Sequence, residues 1–263
     1  STSRRRSAPP ADRRVTTPSD TGTAPPGRWP ADPVALAAEQ ERLAGLDPEP
    51  WRLAPEGEAP LLAGCFVAFA RGEQGPGRIG DHAWTGAVLW RHGRELAAVA
   101  VAGRAGGPYS PGFLAAREGP LLAAAVAALP ERPDALLVDA TGRDHPRRAG
   151  LALHLGAVLE IPTVGVTHRP LVARGHEPGP ARGALAPLTV DGEVVAQWVR
   201  TVGDVRPVVA HAAWRTDATT AAEVVLGCSG VPPVGARTPE PLRRARHAAR
   251  TARAAQEGGG AGR

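Results

Sequence analysis

Apolar positions fall into short runs separated by Gly, Pro and charged residues, and their period changes along the chain. Leu36, Leu43 and Leu46 recur near helical spacing behind Pro33, which suits a first turn, so residues 33–46 predict a helix. Residues 61–70, 85–91 and 95–102 are compact runs of strand character, and Arg91-His92-Gly93-Arg94 reads as a hairpin turn between the last two. Three such strands in succession predict an antiparallel meander. The pattern then alternates: a helix over 111–129 closed by Pro130, a buried strand over 135–139, a helix over 146–159 and a strand over 163–167. Strand, helix, strand with short links predicts parallel pairing through a right-handed crossover. Residues 188–190 and 193–201 form a hairpin across Asp191-Gly192, 208–210 a strand, and Asp217 caps a helix running to Cys228. Residues 241–255 fit either a helix or a solvated arm. The sum is an α/β domain with a mixed sheet, in which a three-stranded antiparallel meander is extended by parallel strands and flanked by helices.

Composition changes this picture at the ends. Gly and Pro are abundant, 32 and 28 of 263 residues, and Pro clusters towards the termini. Residues 1–32 hold too little apolar surface to offset ordering entropy and are expected to be a disordered Arg/Pro-rich tail. The domain is expected to occupy 33–245, with 246–263 a disordered or frayed helical tail. All 31 basic residues are Arg. Ala, Gly, Pro and Arg share GC-rich codons, so coding bias accounts for this excess as readily as a nucleic-acid partner does. The charge is uneven. Residues 1–30 carry net +4 and 231–263 net +5, so the stretch between them is net −4 in a chain of net +5. An Arg-rich arm beside a folded domain can gain phosphate affinity by counterion release, or can simply be solvated.

Cys65 and Cys228 sit in apolar runs with no CxxC spacing, which predicts buried thiols in a reducing compartment. No run is long enough to span a membrane, and the Arg-rich start lacks the apolar core of a secretory signal. A monomeric, cytoplasmic protein is the default expectation.

Two stretches carry chemistry. Leu136-Leu137-Val138-Asp139 is an apolar strand ending in a carboxylate, followed by a loop through Thr141-Gly142-Arg143-Asp144-His145. An Asp at the carboxyl end of a central strand sits where open α/β sheets place ligands. It is costly there unless paired or bound to a cation, although a helix cap would explain it equally well. Tyr109-Ser110-Pro111-Gly112-Phe113-Leu114 puts an aromatic in a Gly/Pro turn ahead of a helix bearing Glu118, by itself an ordinary helix residue.

Together these stretches resemble the endonuclease V family. The resemblance is carried by Tyr109-x-Pro111-Gly112-x-Leu114 with Arg117-Glu118-Gly119-Pro120, and by Val138-Asp139 with Gly142 and His145-Pro146-Arg147-Arg148-Ala149-Gly150-Leu151. It continues through Ile161-Pro162-Thr163-Val164-Gly165-Val166, Gly192-Glu193-Val194-Val195, Arg200-Thr201 and Pro239-Glu240-Pro241, spanning about residues 34–245. It implies a ribonuclease H-like fold and cleavage of DNA or RNA at the second phosphodiester 3′ to inosine. It also implies Mg²⁺ or Mn²⁺ held by carboxylates. Carried over, Glu118 and Asp139 are the catalytic and metal-binding acids, and Tyr109 is the wedge on the Pro111-Gly112 turn. His145, Arg147 and His168 join them as nucleic-acid-binding residues, and the strand of residues 161–166 forms part of a base pocket.

The chain departs from the family at two metal-site positions. Where the family's first strand keeps a metal-ligating Asp, this chain has Phe66 within Gly64-Cys65-Phe66-Val67. Where the family reads Gly-His-Arg before its last core helix, this chain has Ala213-Trp214-Arg215. A family Lys is His168, and a Gln or Asn in the loop after Asp139 is Thr141. Phe cannot ligate a metal, and Trp offers only a donor. Three readings follow. The first is an endonuclease V homologue with impaired catalysis and retained nucleic-acid binding, in which Trp214 could stack on a base. The second is an active Mg²⁺- or Mn²⁺-dependent endonuclease with a rearranged ligand set drawing on His211, Asp81 or Asp144. The third is a non-enzymatic interaction module using the old fold and its Arg-rich tails.

Overall fold

The computed structural model describes residues 14–16, 29–53, 59–71, 77–230 and 236–259. A three-residue strand, β1 (Arg14–Thr16), precedes helix α1 (Pro33–Ala44), whose first turn is capped by the Asp32 carboxylate accepting from the Ala35 amide. The expected meander forms as β2 (Leu62–Phe69), β3 (His82–Arg91) and β4 (Arg94–Arg104). His92 and Gly93 between β3 and β4 both take positive φ, as a two-residue hairpin turn requires. Then come α2 (Leu114–Ala127), β5 (Ala135–Val138), α3 (Leu151–Leu159) and β6 (Thr163–Thr167). The chain closes with the hairpin β7 (Leu185–Val190) and β8 (Glu193–Val199), then β9 (Val208–Ala212), α4 (Ala218–Gly227) and α5 (Glu240–Gly259). Asp217 caps α4 as its sequence position predicts, accepting from the Thr220 amide.

Among the described residues nine strands form one sheet in the order β1-β4-β3-β2-β5-β6-β9-β8-β7. β2, β5 and β6 run parallel at its centre, and the meander and the β7-β8-β9 group are antiparallel on either side. This is the mixed α/β, ribonuclease H-like architecture. One face packs Leu36, Leu43, Leu121, Leu122, Leu136 and Leu151 beneath α1, α2 and α3. The other packs Leu62, Leu137, Val164, Val225 and Leu242 beneath α4 and α5. The alternation of Leu136 and Val138 with Leu137 between the two cores is the period-2 pattern of a strand covered on both faces.

Two expected helices start later than the sequence suggested. Pro111 and Gly112 lie in a turn, with Gly112 at φ 78°, so α2 begins at Leu114. Residues 140–150 are a loop rather than the start of α3. Arg148 takes φ 57°, and the buried Asp144 carboxylate is committed to the amides of Leu171, Val172 and Ala173, each at 2.8 Å. An α-helix cannot run through a residue at that φ, so α3 starts only at Leu151. Residues 241–255, open between helix and arm, are helical within α5. The helix crosses the boundary expected at residue 245 and stays packed through Ala245, Ala249 and Ala252. It lies against Gly64 and Gly86, where an added Cβ would come within 2.4 Å of the Pro241 backbone and 2.2 Å of the Ala245 carbonyl oxygen. Most of the expected tail 1–32 falls outside the described residues. Within it, Trp29 stacks on His154 at 4.7 Å. No described helix is long and apolar enough to cross a membrane.

Candidate functional site

The carboxyl ends of β2 and β5 meet at the centre of the sheet. Cys65 pairs with Val138, so Phe66 and Asp139 are the next lateral neighbours, about 4.8 Å apart along the backbone. Both side chains project to the face covered by α5. Glu118 approaches from α2. Desolvation and then the negative charge of Asp139 push its pKa up to about 7, with Arg117 opposing. The fold therefore brings together Glu118, Asp139 and Phe66, which are spread over 73 positions of the sequence.

A residue the sequence reading missed completes the group. Arg246 of α5 donates from Nη2 to Asp139 Oδ2 at 2.8 Å, and its guanidinium lies 4.8 Å from the centre of the Phe66 ring. Arg250, one turn further on, lies 5.9 Å from the same ring. His168 also faces this cluster. Burial and the Arg237 charge lower its pKa, Asp139 opposes, and Arg246 adds to the lowering.

Tyr109, Pro111 and Gly112 form the turn expected between β4 and α2, and Tyr109 is about half exposed at 49%. The turn is held from beneath by its carbonyl. Gly112 O accepts from Gln40 Nε2 at 3.1 Å and from Arg147 Nη2 at 2.9 Å, and it lies 3.2 Å from His145 Nε2. Arg147 Nε donates to Gln40 Oε1 at 2.7 Å, and its guanidinium stacks on Phe113 at 4.4 Å. His145 Nδ1 accepts from the Arg147 amide, so the ring carries its proton on Nε2 and donates it to Gly112. Burial and the Arg147 charge lower the His145 pKa to about 4, keeping the ring neutral. His145 and Arg147 thus support the turn through their side chains. Gln40 is the polar member of the buried α1 stripe Leu36-Gln40-Leu43, a pattern that marks it in the sequence. Arg246 carries no such mark, because α5 contains many arginines.

A pocket of about 280 Å³ opens between this turn and Asp139, lined by Tyr109, Pro111, Gly112, Asp139, Thr141, His145 and Thr167. Larger clefts elsewhere do not include Asp139.

The other expected participants lie apart. The Trp214 amide donates to Thr163 Oγ1 at the opposite end of β6, about 10 Å along the strand from the level of Asp139. Its side chain packs against Gly156 of α3, away from the pocket. Asp144 is held by three backbone amides, and the buried His211 Nε2 contacts Thr167 Oγ1 at 2.8 Å. Asp81 is paired with the buried Arg117 at 2.8 Å. None of these is free to turn towards Asp139.

The donor set does not fit a divalent cation. Mg²⁺ wants six oxygens in near-ideal octahedral geometry. Here two carboxylates converge, one of them already bonded to a guanidinium, with the apolar ring of Phe66 beside it. Among the described residues no group of three or more His, Cys, Asp or Glu side chains could hold a metal.

The sequence and fold have clear relatives. The endonuclease V of Rhodospirillum centenum is 38% identical over 230 residues, covering 86% of this chain and 90% of that protein. The crystal structure of endonuclease V from Streptomyces avermitilis superposes with a TM-score of 0.74 at 34% identity, covering 86% of this chain and 95% of that one. The fold is also that of Ciona intestinalis endonuclease V in complex with a 24mer DNA containing an inosine followed by a ribo-adenosine. That match has a TM-score of 0.68 at 21% identity, covering 83% and 96% of the two chains. The sequence profile of endonuclease V matches residues 52–247, and the chain belongs to the endonuclease V family.

Proposed function

We propose that this protein binds nucleic acid through the endonuclease V groove and has lost most or all of the family's phosphodiester cleavage. The observation that carries the reading is the trio Phe66, Asp139 and Arg246. An aromatic ring and a guanidinium surround the carboxylate that the resemblance makes a metal ligand. Removing members of a cooperating catalytic group costs several orders of magnitude in rate. Glu118, with its pKa raised to about 7 by burial and by Asp139, is only partly ionised at neutral pH.

The pocket beside the Tyr109 turn supports the binding half. Its walls are mixed apolar and polar, and the half-exposed Tyr109 stands at its rim on a turn braced by Gln40, His145 and Arg147. An unstacked base could enter there, and a mispaired inosine costs less to extrude than a paired base. DNA or RNA containing inosine is the first ligand class to test.

The test incubates the purified chain with a labelled inosine-containing oligonucleotide and Mn²⁺, beside an Asp139→Ala control. The expected result is no cleavage above the control, together with a gel shift that weakens when Tyr109 is changed to Ala. Loss of one stacking partner is worth about 1–3 kcal/mol. Nicking that the control lacks would overturn the loss of catalysis, and no shift with any oligonucleotide would overturn the binding.

A further inference from the structure

The misfit between this donor set and a divalent ion has a positive side. We infer that Arg246 is the resident cation of the site. It neutralises Asp139 where a metal would otherwise be needed, closes the acids to divalent ions and presents a guanidinium to a backbone phosphate.

Three observations point the same way. Arg246 Nη2 bonds directly to Asp139 Oδ2, leaving that oxygen unable to approach an ion without breaking a charge-assisted contact. The same guanidinium lies over Phe66, so the aromatic at position 66 favours a cation above its face while offering it no ligand atom. Phe66 and Arg246 are therefore complementary. A carboxylate at 66 would suit a metal, and a ring at 66 suits an arginine. The guanidinium is also incompletely used, because its hydrogen bonding to described residues is confined to the one Nη2 bond to Asp139. Its side chain keeps 26% exposure, and the exposed Arg250 stands beside it over the same ring.

Helix α5 sets this placement. Gly64 and Gly86 admit its backbone so closely that residue 246 is delivered over β2 at the level of Phe66. An arginine fits carboxylate and phosphate alike through its planar donors, and its charge persists at any working pH. The ligand class is a phosphodiester, and its binding at this point needs no divalent ion. The phosphate half of the inference rests on the proposed nucleic-acid binding, whereas the metal half does not.

The experiment has two arms on the full chain. In the first, MnCl₂ is titrated and free Mn²⁺ followed by electron paramagnetic resonance. The wild-type chain and Phe66→Asp are expected to show no more binding than Asp139→Ala. The double variant Phe66→Asp/Arg246→Ala is expected to bind at least about tenfold more tightly, since affinity rises with ligand charge count. Arg246→Lys, which keeps a cation, is expected to stay closed. Saturable Mn²⁺ binding by the wild-type chain that disappears in Asp139→Ala would overturn the inference without reliance on any Arg246 variant. The second arm measures oligonucleotide binding by fluorescence anisotropy in EDTA. The wild-type affinity is expected to match that in Mn²⁺, and Arg246→Ala to be at least about fivefold weaker, with its melting temperature checked alongside. Wild-type binding that needs Mn²⁺ would overturn the inference. Absence of all oligonucleotide binding would overturn the proposed function and the phosphate half, and the first arm would still decide the metal half.

Discussion

Replacing Arg147 by Ala tests whether the Tyr109 turn is built by its underside. The change removes a 2.7 Å bond to Gln40 Oε1, a 2.9 Å bond to Gly112 O and the stack on Phe113. Hydrogen bonds from a charged donor contribute about 1.5–3 kcal/mol each, and a partly exposed cation–π contact about 0.5–1 kcal/mol. Against this, the truncated side chain regains up to about 2 kcal/mol of rotamer entropy. Gly112 O keeps Gln40 and His145 as donors, so only Gln40 Oε1, on a residue 1% exposed, loses its partner. The net expectation is a loss of about 2–3 kcal/mol in urea unfolding. In a double-mutant cycle, Gln40→Ala should recover about 1 kcal/mol of that loss, because the pair shares one bond. Oligonucleotide binding should weaken with it as the turn loosens. A loss under about 0.5 kcal/mol with strictly additive variants would refute the bracing role and leave Arg147 with only the nucleic-acid-binding role expected from sequence.

Stability should fall on acidification. His145 has a folded pKa near 4 against an ordinary value of 6.5, so the unfolded chain binds the extra proton and stability is fully present only above about pH 6.5. Thermal melts should show a loss of about 2 kcal/mol from His145 by pH 5, and the buried His211, lowered by desolvation, acts in the same direction. A flat profile between pH 7 and 5 would count against both buried neutral rings. Asp144→Ala should strip three backbone amides of their acceptor and destabilise by about 3 kcal/mol or more, with faster hydrogen exchange at residues 171–173 than elsewhere. Exchange unchanged there would show that Asp144 does not hold the segment. Gly86→Ala places a Cβ 2.2 Å from the Ala245 carbonyl, and overpacking of this kind costs about 1–3 kcal/mol in chemical denaturation. No change in stability would mean that α5 is not seated on Gly86 as described.

Much of this architecture is legible in the sequence, for local reasons. The strands from β2 to β6 carry dense apolar runs, and the turn at His92-Gly93 and the cap at Asp217 use residue types suited to those backbones. The long motifs around Tyr109, Glu118 and Asp139 identify the family and name the acids and the substituted Phe66. Boundaries were less legible where side chains bond across long sequence distances. The Asp144 carboxylate holds residues 27–29 positions away, and the chain after it turns through Arg148 at φ 57° in place of the helical start predicted at Pro146. The same limit applies to Trp214. Its place in an aligned motif says nothing of which end of β6 it joins, and strand direction puts it about 10 Å from Asp139.

The sequence alone determined that this is an α/β chain of endonuclease V type with a carboxylate ending its central strand and an aromatic where another carboxylate is expected. That information lies in residue order and period, which short-range sterics and burial translate directly. Only the tertiary structure decided which arginine meets Asp139, which residues brace the Tyr109 turn and which carboxylates are already committed. Arg246 and Asp139 are 107 positions apart, and nothing local distinguishes Arg246 from its neighbours on α5. Its selection comes from the close seating of α5 on Gly64 and Gly86, a contact that exists only once the sheet has formed.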